Sequence, residues 1–174
     1  MKITYYCAMS RDEFIATEDG DVSFLDDLDM EESGGGYEAF FATVDGLVMG
    51  RATYDFIFDY GSWPYGDIPT WVVTSKKLEA LEGAMLSVVG SLDDFLGEAA
   101  AKGMQHIWLV GGGKLASAFH ARDLLTHLSI TEIAIELGSG IPLFSDHRLQ
   151  SMETRSAEST QRKGYRQLEI QLAQ

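Results

Sequence analysis

The run Ile107-Trp108-Leu109-Val110-Gly111-Gly112-Gly113-Lys114-Leu115 restricts the fold more than any other part of the chain. Four consecutive apolar residues read as a buried strand, the glycines as a tight turn, and the residues from Lys114 as the start of a helix. A strand that feeds a helix in this way belongs to an α/β domain. Without Cβ atoms, the turn lets a phosphate approach the backbone N–H groups of the helix start, where the helix dipole favours negative charge. One glycine would satisfy a turn that needs positive φ, whereas three in succession favour an anion site. Neither the phosphate-loop spacing G-x-x-x-x-G-K-S/T nor the dinucleotide fingerprint G-x-G-x-x-G is present.

Two further junctions have the same form. In Leu47-Val48-Met49-Gly50-Arg51-Ala52-Thr53-Tyr54, Gly50 closes a strand, and Arg51 and Thr53 fall in a helix's first turn. A cation there opposes the dipole by roughly 0.3–1 kcal/mol. Arg51 therefore implies either a bound anion or a carboxylate partner from the acidic segment that precedes it. In Trp71-Val72-Val73-Thr74-Ser75-Lys76-Lys77, hydroxyls and lysines at a strand end suit a phosphate, although alone the segment reads as an ordinary polar loop.

Strand character also marks Lys2–Met9, Thr70–Thr74, Leu86–Val89, Leu128–Ile135, the region 152–160 and Tyr165–Leu172, with Gly164 suited to a hairpin. In the last of these, Leu168, Ile170 and Leu172 alternate with Gln167, Glu169 and Gln171, so one face is buried and the other wet. Tyr37, Phe40, Phe41 and Val44 form a helical stripe, a second helix runs from Arg51 to before Gly61, and a third starts at the N-cap Ser91. The 174 residues suffice for one domain with a real core.

A net charge of −14 opposes binding to a nucleic-acid backbone or an anionic membrane. Cys7 is the only cysteine, which rules out an intrachain disulfide and fits a cytoplasmic protein; within its apolar run it reads as a buried structural thiol. No stretch approaches the ~20 apolar residues of a membrane span, and the first apolar run is too short for a secretion signal. Residues 11–32 hold ten acidic side chains against one basic, read as a solvated loop because no repeated ligand spacing supports a metal site. His106, His120, His127 and His147 show no zinc pairing and read as surface or helix-end residues.

Taken in order, these segments resemble the dihydrofolate reductase superfamily from the first strand to the last hairpin. The carriers are Ala8 with Asp12-Glu13-Phe14-Ile15-Ala16, the Val48–Tyr54 junction, Val72–Ser75, the Val110–Leu115 glycine turn, Ser129–Glu132 and Gly138–Phe144. The Gly-Arg-x-Thr-Tyr form and the Gly138–Phe144 stretch are most similar to the branch of the riboflavin-pathway reductase domain and its stand-alone bacterial relatives. The resemblance implies a mainly parallel eight-stranded sheet with flanking helices, an antiparallel C-terminal hairpin, and NADPH lying across the strand ends.

By the same resemblance, Arg51, Thr74, Ser75 and Lys76 would hold the 2′-phosphate and adenosine end. Gly50 and Thr53, with Gly111, Gly112, Gly113, Lys114 and Leu115, would hold the diphosphate. Ala8, Ile15 and Ala16 would line the nicotinamide. Thr131 would face the substrate, together with Tyr37 and Phe41, or else be a strand residue satisfied by its neighbours. The implied activity is NADPH-dependent hydride transfer to a small heterocyclic or carbonyl/imine substrate, by a homodimer whose terminal segments supply a shared apolar face.

Three departures bear on that reading. The carboxylate that serves pterin in folate reductases has no convincing counterpart, since Glu38, the nearest, falls on the wet side of its helix. Glu13 stands where the family often has glycine, in a loop that needs positive φ. Trp63-Pro64-Tyr65 is either an aromatic wall at the substrate or a packed loop. These features leave two alternatives beside the main reading: a dihydrofolate reductase, and a non-catalytic NADPH-binding module.

Overall fold

The computed structural model describes residues 1–26 and 36–173. The chain forms β1 (Lys2–Ser10), β2 (Phe14–Ala16), α1 (Gly36–Phe41), β3 (Gly46–Gly50), α2 (Arg51–Asp59), β4 (Thr70–Val73), β5 (Leu86–Val89) and α3 (Leu92–Ala101). It continues through β6 (His106–Gly111), α4 (Gly113–His120), β7 (His127–Ile133), β8 (Ile141–Pro142), β9 (Thr154–Gln161) and β10 (Tyr165–Leu172). Eight strands make one sheet in the order β5-β4-β3-β6-β1-β7-β10-β9. The strands from β5 to β7 pair in parallel, and β10 and β9 join antiparallel. This is the dihydrofolate reductase-like α/β architecture.

Period-two alternation divides the core between the sheet faces. On one face Ile3, Tyr5, Ile107, Leu109, Leu128 and Ile130 pack with Phe95 and Ala99 of α3 and Phe119 of α4. On the other, Leu47, Met49, Val72 and Trp108 pack with Tyr54 and Ile57 of α2, and Phe40 and Phe41 of α1 lean on them. Helix α3 begins as its cap residue dictates, with the Asp94 N–H donating to Ser91 Oγ at 3.1 Å.

Each expected strand is present, with shifted ends at several. β7 stops at Ile133, short of Ile135, because the Ile135 N–H turns back to the Ile133 carbonyl while its own carbonyl accepts from Arg11 N–H. The stripe helix ends at Phe41, before Val44. There the Thr43 hydroxyl donates to the Phe40 carbonyl at 2.6 Å, and the chain turns towards β3.

The small sheet of β2 and β8 was not legible, being two short segments paired across more than a hundred residues. His106 departs from the expected surface placement: it is 9% exposed, with Nε2 2.8 Å from Thr4 Oγ1 and Nδ1 3.1 Å from the Thr43 carbonyl. Among the described residues, the terminal segments present little of the expected apolar face. Met152, Ile170 and Leu172 are buried in the chain's own core, and β9 is exposed and mainly polar along its whole length.

Candidate functional site

Two of the three junctions, those after β3 and β6, lie side by side, and the third, at the end of β4, lies on the other side of β3. Gly50 ends β3 in an extended conformation and N-caps α2; Gly112 does the same for α4, and neither helix has a side-chain cap. The first-turn N–H groups of both helices are thus free of side-chain cap bonds, unlike those of α3. A Cβ added at Gly50 would touch both the Gly111 carbonyl and Leu115 Cβ at 3.9 Å, which places the two helix starts side by side.

The glycines of the turn have different causes. Gly111 has φ +153°, a conformation that side chains rarely adopt. Gly113 is buried against β8, where a Cβ would collide with the Pro142 carbonyl oxygen. Gly112 has neither constraint: its Cβ would sit 3.6 Å from Thr53 Oγ1, an ordinary contact. The space around Gly112 is thus open enough for a side chain.

Beside this turn a cleft of about 590 Å³ opens between α2 and residues 15–25. Ala8, Ile15, Ala16, Thr53, Gly111 and Gly112 all line it, so residues from four separate segments expected at one cofactor converge. Gly113, Lys114 and Leu115 lie in the first turn of α4 next to it. Cys7, Val22, Leu25, Phe56 and Ile141 complete much of the apolar wall and were not anticipated. Phe56 follows Thr53 by three residues, a spacing that helical periodicity could have supplied. Ile141 enters through its pairing with Ala16. Cys7 is half-buried, and burial pushes its thiol up to about 12, which makes it a poor nucleophile.

Arg51, at the start of α2, and the Thr74–Lys76 segment, after β4, do not line the cleft. Arg51 Nε donates to Asp55 Oδ1 at 2.6 Å and Nη1 to the Lys77 carbonyl at 3.1 Å, which ties the helix start to the β4 end. The expected need for an anion is thereby already met within the helix, by Asp55 rather than by the acidic loop. Thr74 Oγ1 accepts from Lys76 N–H at 3.2 Å, and Ser75 and Lys76 are exposed.

Glu13 adopts φ +69° despite its side chain, at a strain of about 1–2 kcal/mol. Its carboxylate Oε2 accepts from Leu149 N–H at 3.0 Å, and its carbonyl accepts from Leu143 N–H at 2.8 Å. The loop thus keeps the turn that glycine would give.

None of the expected substrate residues lines the cleft, although Thr131 is the sheet partner of Ala8, which does. Tyr37 and Phe41 stack at 5.6 Å and each meets the buried ring of Trp108 edge-on; that ring also meets Tyr6, Phe40 and Tyr65. Tyr65 is buried in this cluster with Trp63 against it, so Trp63-Pro64-Tyr65 is a packed loop and not a wall of the cleft. Thr131 is buried and donates to Gln167 Oε1 at 2.9 Å. Glu38 is exposed, as expected. Asp27, Asp29, Glu31, Glu32, Gly34 and Gly35 lie outside the described residues. Among the described residues no group of three or more acidic, His or Cys side chains is placed to hold a metal, and no helix is long and apolar enough to cross a membrane.

Comparison with known proteins gives the architecture its relatives. The RibD C-terminal domain profile matches residues 58–165. A Bacillus subtilis (strain 168) protein of uncharacterized role, YwjB, is 32% identical over 146 residues, 83% of each chain. A Shewanella sp. PV-4 protein, provisionally described as a riboflavin biosynthesis protein, superposes with a TM-score of 0.80 at 28% identity over the full length of both chains. The Thermotoga maritima diaminohydroxyphosphoribosylaminopyrimidine deaminase/5-amino-6-(5-phosphoribosylamino)uracil reductase superposes at 0.75 with 14% identity, over 99% of this chain and 56% of its own.

Proposed function

The chain belongs to the RibD C-terminal domain family, and from that premise we propose that it is an NADPH-dependent reductase acting on a small heterocyclic or carbonyl/imine substrate. The observation that carries this reading is the single cleft that gathers Ala8, Ile15, Ala16, Thr53, Gly111 and Gly112 beside two helix starts without side-chain caps.

The residues present fit a dinucleotide. The first turns of α2 and α4 offer backbone N–H donors, with the Thr53 hydroxyl between them and Gly112 leaving the approach open. Arg51, Ser75 and Lys76 would receive the 2′-phosphate, Arg51 on exchanging Asp55 for it. Ala8, Ile15 and Ala16 would hold the nicotinamide in an apolar wall that excludes water from the reacting carbon. When bound, the cofactor supplies the hydride; the protein supplies orientation.

The working form we propose is a cytoplasmic homodimer. The lone cysteine supports a reducing compartment, and C₂ pairing is the commonest assembly of such chains. With the terminal apolar residues buried, the long edge of β9 offers a surface for pairing; sedimentation at tens of micromolar reads the assembly directly.

Titration of NADPH fluorescence with pure protein tests the cofactor, and NADPH consumption with pterins, pyrimidines, flavins, quinones and carbonyls tests turnover. Saturable binding with consumption is expected. Dihydrofolate should be a poor acceptor, far below the ~10 s⁻¹ of an ordinary enzyme, because Glu38 is turned to solvent. Binding without consumption of any acceptor would favour the non-catalytic module, and no binding would overturn the reading.

A further inference from the structure

Part of the cleft's apolar wall stands apart from the main sheet. Ile15 and Ala16 belong to β2 and Ile141 to β8, and these strands, three residues and two, form a ribbon of their own. A lone two-stranded pairing is marginal in water, so the place of this wall depends on what holds the ribbon.

The hold comes from the turn between β1 and β2. Asp12 Oδ2 accepts from Gly138 N–H at 2.7 Å and Oδ1 from Leu137 N–H at 3.1 Å, so one carboxylate grips the segment that leads into β8. The Ser10 hydroxyl donates to Asp12 Oδ1 at 2.6 Å, while its oxygen accepts from the N–H of Phe14, the first residue of β2, at 3.0 Å. Both strands of the ribbon are thereby tied to one side chain. Further along, Gly140 passes so close beneath β2 that a Cβ there would collide with the Ala16 carbonyl oxygen.

A carboxylate that only closed its own turn would need none of these distant partners, which lie 125 and 126 residues away in the chain. Burial works to raise the Asp12 carboxyl, yet the hydrogen bonds from Ser10, Gly138 and Leu137 together hold it below its ordinary value. The charged form is the one these donors grip.

We propose that Asp12 is a positioning residue for the nicotinamide: its carboxylate sets the β2–β8 ribbon, and with it Ile15, Ala16 and Ile141, against the strand ends where the ring binds. Asp12 does not itself line the cleft and acts through the ribbon. The role rests on the cofactor reading of that cleft. A ribbon that is in place only part of the time lowers the apparent affinity for the nicotinamide by that fraction.

Asp12→Ala and Asp12→Asn are compared with wild type in the full chain. In the free protein, amide exchange at Leu143, whose N–H bonds the Glu13 carbonyl and not Asp12, should quicken at least about tenfold in Asp12→Ala, with the amides of β6 unchanged. NADPH and 2′-phosphoadenosine diphosphoribose, the same molecule without its nicotinamide, are then titrated by calorimetry. Asp12→Ala should weaken NADPH about tenfold and the shorter ligand less than about twofold. Retained binding of the shorter ligand shows that the variant is folded. Asp12→Asn, which keeps one acceptor oxygen, should recover part of the loss. Unchanged NADPH affinity, unchanged Leu143 exchange, or equal weakening of both ligands would each overturn the proposal. If Asp12→Ala does not fold, Asp12→Asn decides, and it must show the same preferential loss of NADPH. If wild type does not bind NADPH, the cofactor reading falls; if wild type binds it and Asp12→Ala binds it as well, this proposal alone falls.

Discussion

Arg51 and Asp55 face each other across one turn of α2, Nε to Oδ1 at 2.6 Å. The arginine at a helix N-terminus is therefore balanced by its own helix, and a bound phosphate would have to compete for it. The pair is about a third to a half exposed, where such i,i+4 pairs contribute only about 0.3–0.5 kcal/mol. A charge-assisted bond to phosphate contributes about 1.5–3 kcal/mol and wins that competition. Arg51→Ala should weaken NADPH about tenfold and leave NADH nearly unchanged. Asp55→Asn, by freeing Arg51, should tighten NADPH about twofold. Dissociation constants for both cofactors in both variants check this, and equal effects on NADPH and NADH would confine Arg51 to its bonds with Asp55 and Lys77.

Gly112 and Gly113 should separate binding from folding. Gly113→Ala drives a methyl into the Pro142 carbonyl, and overpacking of this kind costs about 1–3 kcal/mol. Gly112→Ala meets only Thr53 Oγ1 at an ordinary distance, so its stability should stay within about 0.5 kcal/mol of wild type. NADPH affinity should nevertheless fall about tenfold in Gly112→Ala as the backbone donors are screened. Denaturant unfolding beside NADPH titration gives both quantities.

The sheet, its strands and its helices were legible because each rests on local pattern. The runs at Leu86–Val89 and Tyr165–Leu172 carry their boundaries in their own residues, and Ser91 caps its helix. The cleft was legible in part, because Thr53, Gly111 and Gly112, which line it, stand out chemically in the sequence. What the pattern does not hold is who meets whom across the sheet. Thr131 satisfied by Gln167, Glu169 beside Ser129 and Arg51 bound to Asp55 are pairings set by register and helix phase. Nothing near His106 in the sequence marks it as buried, because the threonines that satisfy it, Thr4 and Thr43, lie far off in the chain.

Stability should decline as pH falls below about 6.5. Burial and the nearby Lys2 hold His106 below its ordinary value, so it is neutral in the folded chain while the unfolded chain takes up a proton. With more protons bound to the unfolded state, stability is complete above 6.5. It is lost progressively below that value and levels off beneath the folded pKa. Burial lowers His127 and His120 as well, with the same sign. Urea unfolding at stepped pH should show a smaller decline between pH 7.5 and 5.5 in His106→Gln than in wild type. An equal slope in the two would contradict the assignment to His106.

The most direct test of the account asks where the nicotinamide lies. In methyl-labelled protein saturated with NADPH, the protons on nicotinamide C4 should give intermolecular nuclear Overhauser effects to the methyls of Ala8, Ile15 and Ala16. Those of the adenine should give none. Contacts from adenine to these three residues, or nicotinamide contacts to other methyls alone, would contradict the placement on which the proposed activity depends.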